Sequence, residues 1–225
     1  MPEELKIITS DMLAEDPFHP ARTDFEKGMS VAPVIALTLI AANAIAFGWE
    51  LSIGALKSKA AIIAAGAIYG EKVFAGGQSW RLVTGMFLHG GFSHLIGNCL
   101  ALYVLGMACE RAWGRMRTLL IYFVSGLAAS FISAFMQLRP AVGASGAIFG
   151  LLGAAVVFFY RYRGSCHIRN RRIGIGLLAW GAFQLAMGVL TPYVDNWAHF
   201  GGLAAGIVLG FILSAGQFEQ TAPSV

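Results

Sequence analysis

The feature that most constrains this chain is a series of long apolar runs. A helix needs about 20 predominantly apolar residues to cross a bilayer, with a range near 17–25. A further apolar stretch, residues 60–68, is too short to span, and we expect it to lie in the interface or to fold back on the first loop. Six runs are long enough to span: residues 31–49, 92–109, 118–136, 144–160, 173–190 and 197–214.

The composition supports a chain that lies in lipid. Of its 225 residues 57% are hydrophobic and 12% charged, whereas a soluble domain carries about 25% charged residues. The net charge of +4 is not a sign of a nucleic-acid partner, because the basic residues form short clusters between apolar runs, as topology signals do. We therefore expect an all-α polytopic membrane protein with one membrane domain, residues 31–214, between tails 1–30 and 215–225.

The distribution of Lys and Arg predicts the orientation of the chain. Eleven of the sixteen basic residues lie in the N-terminal tail and in the second-to-third and fourth-to-fifth connections, and five lie on the opposite side. By the positive-inside rule, this places both termini in the cytoplasm. The acidic N-terminus lacks an apolar signal region, so we expect the first run to be kept as a spanning helix.

Three residues with side chains suited to catalysis lie at the same predicted depth in the bilayer. At 1.5 Å per residue, Ser145 stands about 24 Å above the cytoplasmic interface, His94 about 25 Å and His199 about 27 Å. In a hydrocarbon core of about 30 Å, all three lie just beneath the outer surface. Three different helices therefore bring a serine and two histidines into one layer.

Ser145 lies in a glycine-rich approach to a helix, PAVGASGAIFG, between Gly143 and Gly146. This predicts a serine in the first helical turn, where backbone amides have no intrahelical partner and the helix dipole is positive. Such surroundings favour negative charge that develops beside the hydroxyl. The alternative is a simple helix-capping serine, since Ser is a preferred N-cap.

His199 precedes three glycines that recur every fourth residue, Gly202, Gly206 and Gly210. That spacing predicts a smooth helix face on which a neighbouring backbone comes close. A histidine on nearly the same face is suited to act as general base for a serine on the neighbouring helix. An interhelical hydrogen bond is the alternative, although an ionisable residue inside a membrane indicates function by default.

His94 and Asn98 are four residues apart and therefore lie on one face of the second helix. Both can donate hydrogen bonds into the bundle, which would suit an oxyanion formed when a serine attacks a carbonyl. His89, five residues before His94, does not share this face, and we expect it to belong to the loop or the interface.

A metal site is the alternative explanation for the histidines, since three of them at similar depth could bind zinc or another divalent ion. The sequence has no HExxH motif, and the inward-facing carboxylate candidates are Glu110, near the cytoplasmic end, and Asp195, in the last external loop. We therefore expect no metal and no cofactor.

Three short motifs together resemble a known family. HLIGN (residues 94–98), GASG (143–146) and AHFGG (198–202) are similar to the HxxxN, GxSG and AHxxG signatures of rhomboid intramembrane serine proteases. They lie on the second, fourth and sixth predicted helices, as in that family's six-helix core. WRLVTGMFLHGGFSH before the second helix and ERAWGRMRTL after it are also similar, and the resemblance covers roughly residues 31–214.

The resemblance implies a catalytic dyad with Ser145 as nucleophile and His199 as general base and acid. It also implies an oxyanion hole formed by His94, Asn98 and the Ser145 backbone amide. Asp195 is interpreted as a loop residue rather than as a third catalytic member. The resemblance also implies supporting roles for Gly143, Gly202 and Phe149. At the position of Phe149, many members carry an aromatic residue packed on the catalytic histidine.

The resemblance further implies other transmembrane proteins as substrates, cut near the outer membrane interface. The family admits substrate past a movable fifth helix, where Trp180 and Phe183 are possible gate residues or simply lipid-facing side chains. Chain length, topology and the lack of a signal peptide suggest a bacterial plasma membrane, with an organelle membrane as the alternative. The sequence indicates no oligomeric state.

Two other functions compete with an enzyme. A non-catalytic rhomboid-like protein that binds membrane clients would be expected to lack the Ser or the His, whereas both are present. A small transporter would more naturally show inverted repeats and broken helices, which the sequence does not show. An enzyme is favoured because every role in the site has a residue to fill it.

Overall fold

The computed structural model describes residues 23–166, 168–191 and 193–213, without the side chains of residues 168–171. Over these residues, extended pairing is limited to two isolated bridges, Thr23 with Cys166 and Ile68 with Ala141. Short 3-10 and π turns occur at Glu26–Gly28, Ala55–Lys57 and Glu71–Ala75. The α-helices of the described residues are α1 (Val34–Ser52), α2 (Lys59–Ala65), α3 (Arg81–Thr84), α4 (Phe92–Trp113), α5 (Arg115–Met136), α6 (Ser145–Arg161), α7 (Ile168–Leu190) and α8 (Asn196–Ile212).

Four of these helices are long and apolar enough to cross a membrane: α1, α4, α5 and the Arg172–Leu190 part of α7. The helices α6 and α8 are also apolar but have 17 residues each, at the short end of the spanning range. The described residues thus form an all-helical, multi-pass arrangement, while six spanning helices and cytoplasmic termini stay predictions. Residues 1–22 and 214–225 lie outside the described residues, so the predicted boundaries of the tails also stay predictions.

The helices overlap all six predicted runs and differ from them at the ends. Helix α1 begins at Val34 because Pro33 is its N-cap, and proline is tolerated only at the start of a helix. Helices α4 and α5 extend beyond the apolar runs to Gly114, whose φ of 78° separates them. The ends extend because helical hydrogen bonding does not require apolar side chains, and charged residues at helix ends reach the interface.

Helix α6 is the centre of the bundle, and nearly every residue from Gly146 to Phe159 is buried. Helix α8 packs against it through glycines. Gly202 and Gly206 lie directly on the carbonyl oxygens of Gly146 and Gly150, where a methyl group would overlap the backbone. The close approach predicted from the glycine spacing is confirmed, and it brings the first turns of α6 and α8 together.

The segment between α1 and α4 folds back on itself. Arg81 in α3 is 5% exposed, and its guanidinium donates to the Ile63 carbonyl at 2.5 Å and the Ala67 carbonyl at 3.1 Å. Burial lowers the pKa of Arg81. These bonds hold α2, whose C-cap is Gly66 with φ of 113°. The seven residues of α2 are too few to cross a bilayer, as predicted for the stretch at 60–68.

The opposite end of the bundle is held by side chains on helix termini. Glu110 of α4 accepts the Ala36 amide at 3.0 Å, in the first turn of α1. Arg161, the last residue of α6, donates to the carbonyls of Gly210 and Phe211 at the end of α8. First-turn amides and last-turn carbonyls have no intrahelical partners, so these contacts satisfy them and fix how the helix ends pack.

Candidate active site

Ser145 is the first residue of α6, and Ala144 occupies the N-cap position. The chain enters this helix through a short connection held by the Gly143 amide, which donates to the Gly85 carbonyl at 2.9 Å. The Ser145 side chain does not cap the helix. Instead Ser145 Oγ lies 3.0 Å from His199 Nε2, within hydrogen-bond distance.

His199 lies in the first turn of α8, whose start is set by Asp195. The Asp195 carboxylate accepts the Ala198 amide at 3.1 Å as an N-cap. Its other oxygen accepts a hydrogen bond from Ser133 Oγ of α5. Both oxygens are therefore used to position α8. This capping role was not predicted from the sequence, although an Asp before the first residue of a helix is a recognised start signal.

The His199 ring stacks on Phe149, with ring centroids 4.3 Å apart and planes at 12°. Trp180 of α7 lies beyond Phe149 at 6.4 Å. His199 is 8% exposed, and its Nδ1 has no partner among the described residues. When Nε2 accepts from the Ser145 hydroxyl, the neutral ring carries its proton on Nδ1. The stacking and the serine contact orient the ring.

His94 and Asn98 face the glycine that precedes Ser145. A methyl group on Gly143 would lie 2.7 Å from His94 Cε1 and 3.5 Å from Asn98 Nδ2. Gly143 also has φ of 131°, a region that other residues rarely adopt. Asn98 is buried, and its Nδ2 has no partner in the described part of the chain. These two donors therefore point toward the Ser145 turn.

The protonation pattern of His94 follows from one contact. The Gly90 amide donates to His94 Nδ1 at 3.3 Å. A nitrogen that accepts a hydrogen bond carries no proton, so the neutral ring has its proton on Nε2. This is the atom that lies 2.9 Å from the position of a Gly143 methyl.

Two buried groups near the site were not expected from the sequence. Glu50, near the end of α1, is fully buried, whereas the sequence predicts only Glu110 and Asp195 as inward carboxylates. His89 lies in the loop before α4 but is also fully buried, with its ring 5.2 Å from that of His94. Burial, with the nearby His94, lowers the pKa of His89 to about 4. An ionisable residue that ends an apolar run was the available signal for Glu50.

The surroundings of Ser145 leave little free volume. A small cavity beside it is lined mostly by apolar and small residues, including Met86, Gly126 and Ala147, and also by Asp195 at the start of α8. Its volume of about 20 Å³ is enough for a single water molecule. Only a small group fits beside the hydroxyl without rearrangement.

The two predicted gate residues on α7 differ in their surroundings. Trp180 is partly buried against Phe149, whereas Phe183 is 59% exposed. In the most apolar part of α7 only 11% of the residues are buried, against 28–44% in the most apolar parts of α1, α4 and α5. Helix α7 is thus the least enclosed of the four long helices.

The described side chains do not form a metal site near Ser145. Within the residues that the structure describes, no group of three His, Cys, Asp or Glu side chains is arranged to hold a metal ion. The expectation of a site without metal or cofactor stays a prediction.

Comparison with known proteins places the chain in a family. The sequence profile of the Rhomboid domain matches residues 76–216, more than half of the chain. The chain belongs to the rhomboid family. The rhomboid match begins before α3 and includes every candidate site residue named above except Glu50. Together with its apolar helices, it makes the protein an integral, multi-pass membrane protein.

Several rhomboid relatives are similar over about two thirds of the chain. RHOMBOID-like protein 6, mitochondrial, of Arabidopsis thaliana is 41% identical over 66% of this chain and 48% of its own length. Rhomboid protease GluP of Bacillus subtilis (strain 168) is 37% identical over 67% of this chain and 30% of its own length. Rhomboid protease AarA of Providencia stuartii is 35% identical over 59% and 55%. The chain thus spans between about a third and about half of the length of these relatives.

Proposed function

We propose that the protein is an intramembrane serine endopeptidase that cleaves transmembrane proteins near the outer membrane interface. One observation carries this proposal: His199 Nε2 and Ser145 Oγ are 3.0 Å apart at the first turns of two closely packed helices. Membership of a family that includes named rhomboid proteases supports it. A nucleophile within hydrogen-bond reach of a base is the common signature of covalent catalysis.

The dyad accounts for both halves of the reaction. Ser145 Oγ attacks the substrate carbonyl carbon while His199 Nε2 takes the hydroxyl proton, which gives a tetrahedral intermediate and an imidazolium. Collapse breaks the C–N bond, and His199 gives its proton to the leaving amine. A water molecule then attacks the acyl-serine with His199 again as base, releasing the acid and restoring Ser145.

Three hydrogen-bond donors close to the Ser145 turn support an oxyanion hole. Asn98 Nδ2 is buried without a partner among the described residues, and His94 presents Nε2–H. The Ser145 amide lies at the start of α6, where the helix dipole is positive. Donors aimed at an oxyanion act most strongly in a site that excludes water, and such a hole is the role we assign to these groups.

Transmembrane proteins are the substrate class that suits this site. Ser145, His94 and His199 have similar predicted depths just beneath the outer surface of the bilayer, so a substrate within the membrane can reach them. The low burial of α7 supports an access route beside that helix. The comparisons do not favour a bacterial plasma membrane in particular, because similar proteins come from a plant, one of them named mitochondrial, as well as from bacteria.

A non-catalytic membrane protein that binds clients is the second candidate function, since five of the similar plant proteins are named only as RHOMBOID-like. The enzyme is favoured because Ser145 Oγ lies within hydrogen-bond distance of His199 Nε2.

Covalent labelling separates the two functions. A serine-directed fluorophosphonate should label the purified wild-type protein in detergent and should fail to label Ser145→Ala. The matched control is Ser93→Ala, which removes an exposed serine of α4 and should label like wild type. The reconstituted wild type should cleave a transmembrane substrate, whereas Ser145→Ala should not. Equal labelling of wild type and Ser145→Ala would contradict the proposed nucleophile.

A further inference from the structure

Glu50 occupies an unfavourable place for a carboxylate. It lies in the last turn of α1 and is fully buried. The C-terminal end of a helix is the negative end of its dipole, which repels an anion, and a buried charge is costly unless it is hydrogen-bonded. Glu50 also precedes the part of the chain that matches the Rhomboid domain. Its position therefore calls for a specific partner in this chain.

The partner is the backbone amide of His89. This N–H donates to both Glu50 oxygens, at 3.0 and 3.1 Å. His89 lies in the turn that leads into α4, and its Nδ1 donates to the Phe87 carbonyl at 3.0 Å. Its ring is therefore turned back onto its own loop. Glu50 thus joins the end of α1 to the turn that precedes the helix of His94 and Asn98.

The next amide of the same turn contacts His94. The Gly90 N–H donates to His94 Nδ1 at 3.3 Å, which leaves the proton of the neutral ring on Nε2. The carboxylate of Glu50 holds one amide, and the adjacent amide selects the tautomer of His94. A shift of this turn would release Nδ1 and allow the proton to occupy it instead.

We propose that Glu50 is a positioning residue for the oxyanion hole. By holding the His89 amide it keeps the Gly90 N–H on His94 Nδ1, so that His94 presents Nε2–H toward Ser145. The catalytic consequence rests on the proposed function, because an oxyanion forms only if Ser145 attacks a carbonyl. The tautomer of His94, in contrast, is a property of the protein whether or not it is an enzyme.

Steady-state kinetics on a transmembrane substrate in detergent test the catalytic part. Glu50→Leu should lower kcat about tenfold or more with KM unchanged, as expected when one oxyanion donor is misplaced. Glu50→Gln keeps a carbonyl acceptor for the His89 amide and should stay within about threefold of wild type. Asn43→Leu is the matched control, because Asn43 is also buried on α1, two turns from Glu50, and its side chain faces Tyr122 of α5 rather than the His89 turn.

Two results with the Glu50 variants would overturn the proposal. One is an unchanged kcat in Glu50→Leu, and the other is a loss in Glu50→Gln as large as that in Glu50→Leu. The Gln variant keeps the test decisive if the Leu variant does not fold. A fall in kcat of Asn43→Leu equal to that of Glu50→Leu would also overturn it, since any loss of buried polarity in α1 would then suffice.

A double-mutant cycle asks whether Glu50 acts through His94. If it does, Glu50→Leu should change kcat by less than about twofold once His94→Ala is present, because residues acting as a unit are not additive. Fully multiplicative losses would show that Glu50 acts by another route and would overturn the positioning role.

Nitrogen-15 NMR of histidine side chains gives a readout that does not depend on activity. Wild-type His94 should show an unprotonated Nδ1 and a protonated Nε2, and Glu50→Leu should shift this ring to a mixture of tautomers. A wild-type proton on Nδ1 would overturn the inference directly. If the wild type cleaves no substrate but shows the tautomer shift, the proposed function fails while the link from Glu50 to His94 stands.

Discussion

The catalytic histidine proposed here is oriented by an aromatic ring rather than by a third ionisable group. Asp195 is the nearest acidic residue in sequence, but its two oxygens bond the Ala198 amide and Ser133 Oγ. Phe149 instead stacks face to face on the His199 ring at 4.3 Å. A phenylalanine has no hydrogen-bonding group, so its effect on His199 depends on contact geometry alone.

The effect of replacing Phe149 on turnover should therefore depend on whether the new side chain keeps an aromatic ring. An aromatic pair is worth about 0.5–1.5 kcal/mol beyond the area it buries, so Phe149→Ala should lower kcat by about 2- to 12-fold. Phe149→Tyr keeps the stacking and should stay within about twofold of wild type. Initial rates on a transmembrane substrate measure both variants.

The control for this prediction is Phe211→Ala, which removes a phenylalanine of α8 that is 53% exposed and should leave kcat unchanged. Wild-type turnover in Phe149→Ala would contradict an orienting role for the ring.

At the scale of elements, the site depends on the glycine contact between α6 and α8. Gly202 and Gly206 rest on the carbonyl oxygens of Gly146 and Gly150, so the two backbones touch without intervening side chains. In a membrane, helix association relies on such van der Waals packing, because lipid is as apolar as the side chains. The distance between Ser145 and His199 follows from this contact.

Gly206→Ala should separate the two helices. The added methyl would overlap the Gly150 carbonyl, and overpacking costs about 1–3 kcal/mol. We expect a lower melting temperature in detergent, followed by circular dichroism, together with a lower kcat.

Gly48→Ala is the matched control for this element, because it adds the same methyl to α1 at a position with no atom within 4 Å. It should leave kcat unchanged and stabilise α1 by about 0.5–1 kcal/mol. A Gly206→Ala protein that melts and turns over like Gly48→Ala would contradict the role assigned to the α6–α8 contact.

At the scale of the whole molecule, the alternating direction of the helices and the positions of the basic residues predict the orientation of the chain. They predict which loops and termini face the cytoplasm and which face the outside. Leu138, in the α5–α6 loop, is 89% exposed, and Tyr193, before α8, is 91% exposed. Val31, before α1, is 84% exposed. Both termini in the cytoplasm would place the loops of Leu138 and Tyr193 outside and Val31 inside.

Labelling with a membrane-impermeant maleimide measures this orientation. In a background in which Cys99, Cys109 and Cys166 are replaced, Leu138→Cys and Tyr193→Cys should react in intact cells or sealed right-side-out vesicles. Val31→Cys should react only after permeabilisation. The reverse pattern would contradict the cytoplasmic termini and would move the proposed cleavage depth to the other face of the membrane.

Local pattern alone was enough to predict the helices and most candidate site residues. The six apolar runs coincide with helices because spanning a bilayer imposes a minimum length on each run. Ser145, His199, His94 and Asn98 stand out because polar, reactive side chains are rare in such runs. The exact helix ends were not predicted, since they depend on caps such as Pro33 and Asp195 and on neighbouring helices.

Only the tertiary structure decided which of these residues meet. Ser145 and His199 are 54 positions apart, and Glu50 and His89 are 39 apart, and sequence periodicity carries no information on contacts at such separations. Glu50 was missed for this reason, since a carboxylate at the end of α1 has a role only when another loop presents an amide to it. The sequence thus predicted which chemical groups lie at one depth in the membrane. Helix packing, set by the close contact of α6 with α8, determined which of them touch.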